Sequence, residues 1–102
     1  MNEMFILGDE DTITGFSLAG VAGEFVGSSQ EALEKFSSRI KMQGLKILIV
    51  TQPVAEWIKE DITRHRMRMR FPLVDEIPDA KGDLAFRESL TDIIRQAIGI
   101  SI

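Results

Sequence analysis

The 102-residue sequence contains no cysteine, a single histidine and no long apolar run. The absence of cysteine excludes disulfide bonds and thiolate metal sites, and it is typical of proteins of the reducing cytosol. No apolar run approaches the roughly 18 residues that span a bilayer. No basic segment precedes the first apolar residues, so we expect no signal peptide. These features predict a soluble cytoplasmic protein, which can still dock onto a membrane complex.

Positive charge is in deficit, because 12 Lys and Arg stand against 16 Asp and Glu and leave a net charge of −4. General nucleic-acid binding depends on a basic surface, so this balance argues against it. The charge is also uneven: arginines crowd between Arg64 and Arg70, and acids crowd between Glu3 and Asp11. Two local patches of opposite sign favour contacts with other proteins.

Apolar strands alternate with helical patterns along the chain. Strands are predicted at 4–7, 24–27, 45–50 and 71–74, and helices over about 16–23, 28–44, 53–62 and 86–97. Leu33 recurs at helical spacing with Phe36 and Ile40, and Trp57, on the inner stripe of the next helix, is assigned to the core. Helical connections join parallel strands by right-handed crossovers. We therefore predict an α/β fold, with a four-stranded, mostly parallel sheet in the order 2-1-3-4 and helices on both faces, as in receiver and flavodoxin-like domains.

The chain is divided into a body over residues 1–78, a linker loop over 79–83 and a carboxyl-terminal helix over 84–102. This last helix has an apolar side formed by Leu90, Ile93, Ile94, Ala97 and Ile98. That side either packs on the sheet or lies against another protein as an anchor. The one soft boundary in the sequence runs from Pro78 to Asp83, between the body and this helix.

An acidic segment follows the first strand, at the edge of a parallel sheet where ligands commonly bind. Three interpretations are open for the acids at positions 9–11. They resemble the carboxylates with which receivers bind Mg²⁺, they can contact a partner, or they can cap the turn and the first helix. The residues assigned to a structural turn are Gly8, Asp9, Asp11, Thr12 and Gly15. A phosphotransfer receiver needs a phosphoacceptor Asp at the end of its third strand. Here that strand ends in Val-Thr-Gln-Pro over residues 50–53, without an acid, so the nucleophile is missing.

Other catalytic and binding motifs are weak. The glycines do not form G-x-G-x-x-G, and the interval from Gly15 to Gly20 lacks the Lys-Ser/Thr of a P-loop. His65 lies near an apolar stripe and is interpreted as a structural, semi-buried histidine. The arginines from Arg64 to Arg70 form either a solvated helix end or a contact patch for an acidic partner.

Four segments in order resemble the F subunit of the V/A-type rotary ATPases and ATP synthases. They are Gly-Asp-Glu-Asp-Thr-Ile-Thr-Gly-Phe-Ser-Leu-Ala-Gly at 8–20, Ile-Leu-Ile-Val-Thr at 47–51 before Val-Ala-Glu at 54–56, Phe-Pro-Leu-Val-Asp-Glu-Ile-Pro-Asp at 71–79, and Ile-Arg-Gln-Ala-Ile-Gly-Ile-Ser-Ile at 94–102. The resemblance covers nearly the whole chain. It implies a receiver-like domain followed by a mobile carboxyl-terminal helix.

The resemblance also implies a function. It indicates a non-catalytic rotor subunit, without catalytic residue, cofactor or metal, on the cytoplasmic side of the membrane. Its implied partners are the D subunit of the rotor shaft and, through it, the ring of A and B subunits and the connector to the membrane rotor. The candidate interface residues are Arg87, Leu90, Ile93, Ile94, Ala97 and Ile98 of the last helix, with Arg64 and Arg68. A receiver-like regulatory module and a small enzyme using the acidic segment remain the alternatives.

Overall fold

A computed structural model describes residues 3–79 of the chain. The elements are β1 Met4–Gly8, α1 Glu10–Leu18, β2 Ala22–Phe25, α2 Ser29–Arg39, β3 Ile47–Thr51, α3 Gln52–Trp57, α4 Lys59–Arg68 and β4 Leu73–Ile77. The predicted helix over 84–102 and all but the first residue of the predicted linker lie outside the described residues.

The four strands form one parallel sheet in the order β2-β1-β3-β4, as predicted. Phe5 of β1 pairs with Ala22 of β2 and with Leu48 of β3, which in turn pairs with Val74 of β4. The two central strands are buried along almost their whole length, which explains why their sequences are continuously apolar. β2 begins two residues before its predicted start and β4 two residues after.

Helices cover both faces of the sheet, again as predicted. The larger core lies under α2, α3 and α4, and its biggest fully buried side chains are Leu7, Phe36, Leu48, Val50, Ile58 and Ile62. The smaller core on the opposite face lies under α1 and consists of Ile6, Phe16 and Ile49, with partly buried neighbours such as Ile13. The sheet is therefore the middle layer of a three-layer sandwich.

The first helix begins earlier than predicted. α1 starts at Glu10, directly after β1, and the expected start near Phe16 was wrong. The acidic segment is therefore the first turn of a helix and not a loop before it. Three residues assigned to a turn lie inside this helix: Asp11, Thr12 and Gly15. Asp9 occupies the N-cap position, and Gly8 is the last residue of β1.

The second helix begins where its sequence signature indicates. Ser28 Oγ accepts a hydrogen bond of 3.2 Å from the backbone N–H of Glu31, and Glu31 Oε1 accepts one of 2.9 Å from the N–H of Gly27. Two donors at the helix start are thereby satisfied. α2 ends at Arg39, before the predicted stop at Gly44, which adopts a positive φ of 87° in the following turn.

The single helix predicted after β3 is two helices. α3 ends at Trp57 and α4 begins at Lys59, with Ile58 between them at φ −123° and ψ 28°. Ile58 is buried, whereas Trp57 is 45% exposed, so the assignment of Trp57 to the core was wrong. Leu33 is 44% exposed on α2, although it recurs at helical spacing with Phe36, and the buried residues of that helix are Ala32 and Phe36.

Candidate functional site

Asp9 lies at the carboxyl edge of the sheet and caps α1. Its Oδ2 accepts a hydrogen bond of 3.1 Å from the backbone N–H of Thr12, and its Oδ1 accepts one of 2.6 Å from the Thr12 hydroxyl. Thr12 is fully buried. Both carboxylate oxygens of Asp9 therefore hold the start of the helix, which confirms the capping interpretation.

The neighbouring acids, Glu10 and Asp11, are exposed in the first turn of α1. Negative charge is favourable there because the helix dipole is positive at this end. Within residues 3–79 no group of three or more acidic or histidine side chains could hold a metal ion. The described geometry of the acidic segment thus fits a helix start.

β1 and β3 approach closely at the same edge. A Cβ atom placed on Gly8 would lie 2.5 Å from Cγ2 of Thr51, so only glycine fits between the two strand ends. Thr51 is buried and occupies the N-cap position of α3. Its side chain makes no capping hydrogen bond, so the prediction that Thr51 caps this helix holds for its position only.

A small cavity of about 190 Å³ opens beside this contact. It is lined by Asp9, Phe25, Val26, Gly27, Thr51, Pro53, Val54, Trp57 and Asp79. Ligand pockets in proteins are commonly about 300–1,000 Å³, so this cavity is smaller than a usual substrate or nucleotide site. Its half-exposed aromatic residues, Phe25 and Trp57, suit a contact with another protein better.

A larger groove of about 630 Å³ runs between the helices α3 and α4 and the edge strand β4. Charged side chains of both signs line it, including Glu56, Lys59, Arg66 and Glu76. Arg66 Nη2 lies 3.8 Å from Glu76 Oε2 across the groove. The described residues that line it therefore form a polar surface of mixed charge.

His65 is a structural residue, as interpreted from the sequence. It is buried, and its Nε2 lies 2.8 Å from the carbonyl oxygen of Pro72. A carbonyl only accepts, so Nε2 carries the proton and donates. The imidazole also packs edge-on against Phe36, with ring centroids 6.1 Å apart. The histidine thereby ties the end of α4 to the turn before β4.

Arginines lie on either side of His65 in the last turns of α4, which runs back to the start of β4 at the opposite, amino edge of the sheet. Arg64 Nη1 donates to Asp61 Oδ1 at 3.0 Å, and Arg66 Nη2 donates to the carbonyl oxygen of Val74 at 2.7 Å. Arg68 is the last residue of α4 and is exposed. Both interpretations of this segment, a solvated helix end and a contact patch, fit these positions.

Two contacts at the sheet edges were not foreseen. Arg66 covers a carbonyl of β4, and Lys35 Nζ donates to the carbonyl oxygen of Phe25 in β2 at 2.8 Å. The partners are eight and ten residues apart in the chain and belong to different elements. No local pattern signals such pairs, although a cation on a helix beside an edge strand is a general cue.

The remaining interface candidates lie outside the described residues. They are Arg87, Leu90, Ile93, Ile94, Ala97 and Ile98. Their assignment to a partner surface stays a prediction. In the part of the chain that the structure covers, no helix is long and apolar enough to cross a membrane.

Comparison with known proteins gives a consistent result. The chain matches the family model described as ATP synthase (F/14-kDa) subunit over residues 4–98. It is 32% identical to the F subunit of the A-type ATP synthase of Methanothermobacter thermautotrophicus, over 95% of this chain and 92% of that protein. It is also 32% identical to the protein of the same name from Pyrococcus abyssi, over 98% and 97%. The corresponding protein of Methanocaldococcus jannaschii is 30% identical over 95% of both chains.

Proposed function

Because the chain belongs to the family described as ATP synthase (F/14-kDa) subunit, we propose that it is a non-catalytic component of the central stalk of a V/A-type ATPase or ATP synthase. In this role it binds the D subunit of the rotor shaft and helps couple ATP hydrolysis or synthesis to ion translocation. The single observation that carries the proposal is the similarity to A-type ATP synthase F subunits along almost the whole chain.

The geometry of the acidic segment supports a role without catalysis. Both oxygens of Asp9 bond to Thr12, and Gly8 packs so closely on Thr51 that no space remains between those strand ends. A general base or a metal ligand needs a lone pair directed at its substrate or ion. Asp9 uses one lone pair of each oxygen to hold the protein's own helix, which supports a structural role for this residue.

The carboxyl-terminal helix is the proposed anchor. Its apolar residues, Leu90, Ile93, Ile94, Ala97 and Ile98, together with Arg87, would lie along the shaft as an amphipathic helix lies in a groove. β4 is an edge strand that ends at Ile77, so the chain leaves the sheet at a corner.

This placement also sets the proposed surroundings. The protein would work on the cytoplasmic side of the membrane as part of a peripheral complex. Through the D subunit it would be linked to the ring of A and B subunits and to the connector of the membrane rotor. No segment of the protein itself is proposed to enter the bilayer.

The proposal is tested by measuring association of the full chain with the purified D subunit. The key variant is Ile93→Asp, and its matched control is Leu18→Asp, which places the same charge on a highly exposed residue of α1. We expect Ile93→Asp to abolish binding while its circular dichroism stays that of the wild type. We expect Leu18→Asp to bind normally.

Each other outcome changes the conclusion in a defined way. An unfolded Ile93→Asp variant would show that the last helix belongs to the core and would remove the anchor. Normal binding by both variants would move the interface to the body. A wild-type chain that does not bind the D subunit, or that hydrolyses ATP alone, would overturn the proposed function and favour a regulatory module or an enzyme.

A further inference from the structure

Exposed apolar side chains concentrate in one short segment of the described chain. Of the eight large apolar residues that residues 3–79 expose, four lie between positions 67 and 73. Their exposures are 81% for Met67, 55% for Met69, 50% for Phe71 and 54% for Leu73. Scattered apolar residues are ordinary on protein surfaces, but a contiguous group marks an interaction site.

Positive charge overlaps this apolar segment, because arginines lie at positions 64, 66, 68 and 70. Two of these four arginines have intramolecular acceptors, since Arg64 bonds to Asp61 and Arg66 bonds to β4. Arg68 and Arg70 form neither an ion pair nor a hydrogen bond with another residue of the 3–79 range. Their charges are therefore available to a group from outside. We call residues 64–73 the Arg–Met surface.

Local structure holds the Arg–Met surface in a fixed shape. α4 ends at Arg68, Met69 is extended, and the chain then turns into β4. The buried hydrogen bond from His65 to Pro72 fastens the two sides of this turn. A groove of about 510 Å³ lies between them, lined by residues 65–70 and 72–74. The surface is thus a formed concavity with charged and apolar walls.

We propose that the Arg–Met surface binds an acidic segment of a partner protein, in which carboxylates flank apolar side chains. Arginine forks bind carboxylates in a bidentate manner, and exposed Arg68 and Arg70 provide two such forks. Methionine adapts its shape to an irregular apolar surface, so Met67 and Met69 suit a partner's apolar side chains. The local positive charge of Arg68 and Arg70, and not the net charge of −4 of the chain, selects an acidic segment as the occupant.

A membrane surface fits these residues less well. Anionic lipids attract clusters of four or more cations, about 1 kcal/mol for each one. Here carboxylates border the arginines on both sides, with Glu60 and Asp61 before them and Asp75 and Glu76 after them. An anionic bilayer is negative over its whole surface and would repel these acids. A peptide carries its carboxylates at separate points, so it can place them beside the arginines and away from the acids. The surface lies at the amino edge of the sheet, whereas Asp79, the last described residue, lines a cavity at the opposite edge. The proposal rests on residues of the body alone and holds whether or not the tail binds the shaft.

The test uses the full-length, isotope-labelled chain and two synthetic peptides. One carries glutamates on either side of a leucine stripe, and the other has lysines in place of the glutamates. We expect the acidic peptide to shift the backbone amide resonances of residues 64–73, and the lysine peptide to leave them in place. Binding should weaken as salt is added, because the contacts are exposed ion pairs.

Two pairs of variants make the test specific. Arg70→Glu should weaken binding of the acidic peptide about tenfold, whereas Lys59→Glu, with the same change of charge at the other end of α4, should not. Met67→Ser should weaken it, and Leu18→Ser, another highly exposed apolar residue, should not. Unshifted 64–73 resonances, or wild-type affinity for Arg70→Glu, would overturn the proposal. Binding of anionic phospholipid vesicles through Arg70, with none of the peptide, would overturn it in favour of a membrane surface.

Discussion

Arg66 Nη2 lies 2.7 Å from the carbonyl oxygen of Val74, a backbone group that points away from the sheet. The neighbouring residue, Leu73, donates its N–H to Lys46 just before β3, at 2.8 Å. Successive residues of a strand direct their backbone groups to opposite sides, so the carbonyl of Val74 faces outward from the edge strand β4. The guanidinium therefore covers an acceptor that another strand would otherwise use.

The other edge of the sheet has an equivalent contact. Lys35 Nζ lies 2.8 Å from the carbonyl oxygen of Phe25 in β2, and the next residue, Val26, donates its N–H inward to Gly8. Each edge strand thus has one outward carbonyl occupied by a cationic side chain from a neighbouring helix. Unprotected edges invite pairing with further strands, and long cations are a common protection.

Replacing Arg66 tests this protection. Arg66→Ala removes a charge-assisted hydrogen bond and should lower the free energy of unfolding by about 1.5–3 kcal/mol. It should also increase self-association, because β4 then presents an uncovered edge. Urea denaturation measures the first effect, and sedimentation velocity at several protein concentrations measures the second.

The control for this variant is Arg64→Ala. Arg64 pairs with Asp61 at the surface of the same helix, and exposed ion pairs of this kind contribute about 0–1 kcal/mol. We expect a small change in stability and none in self-association. Equal effects of the two variants would show that the edge contact has no special role.

Asp9→Ala removes the N-cap of α1. Loss of an N-cap carboxylate destabilises proteins by about 0.5–2 kcal/mol, and Asn is as good a cap as Asp. Asp9→Ala should therefore lower the midpoint of thermal unfolding, and Asp9→Asn should stay close to the wild type. Asp11→Ala is the matched control, because Asp11 is exposed in the same helical turn without capping it, and should lie within about 0.5 kcal/mol of the wild type.

Gly8→Ala should be destabilising for a steric reason. The added Cβ would lie 2.5 Å from Thr51 Cγ2 in a buried region, and overpacking of this kind lowers stability by about 1–3 kcal/mol. Thr51→Ser removes the opposing methyl group, so the double variant should recover part of the loss. A double-mutant cycle in chemical denaturation measures this coupling, and simple additivity of the two changes would contradict the contact.

His65→Phe separates the two contacts of the buried histidine. Phenylalanine keeps an aromatic ring facing Phe36, but it cannot donate to the carbonyl oxygen of Pro72. Leaving a buried acceptor without its donor costs about 1–3 kcal/mol, and we expect a loss of that size in urea denaturation. Amide hydrogen exchange should also rise in the turn between α4 and β4. Unchanged stability would show that ring packing alone fixes this turn.

The sequence was sufficient to predict the parallel sheet and the order of its strands. Runs such as 47–51 are apolar at almost every position because these strands are covered on both faces, and the helical connections require a parallel arrangement. Helix caps could also be predicted where the capping side chain and its backbone donor lie three residues apart, as at Ser28. Local patterns fix these features because their partners are close in the chain.

Other features depend on partners distant in the chain or on the balance of packing, and the sequence did not reveal them. Gly15 was taken as a turn residue, although a helix can include a glycine when the cap at Asp9 and the core residue Phe16 hold it. The break at Ile58 left Trp57 half exposed, which no periodicity of apolar residues predicts. The arginines of the Arg–Met surface could be recognised in the sequence. Only the structure shows that Arg64 and Arg66 have hydrogen-bond partners within the described chain.

Trp57 is the only tryptophan of the chain, and it lines the small cavity at the carboxyl edge together with Asp79, the last described residue. The protein therefore carries one native fluorophore where the chain departs toward its carboxyl-terminal segment. The Arg–Met surface lies at the other end of the strands and contains no such group. Tryptophan emission can consequently test the proposed shaft binding without any label, and it should not change when an acidic peptide occupies the opposite edge.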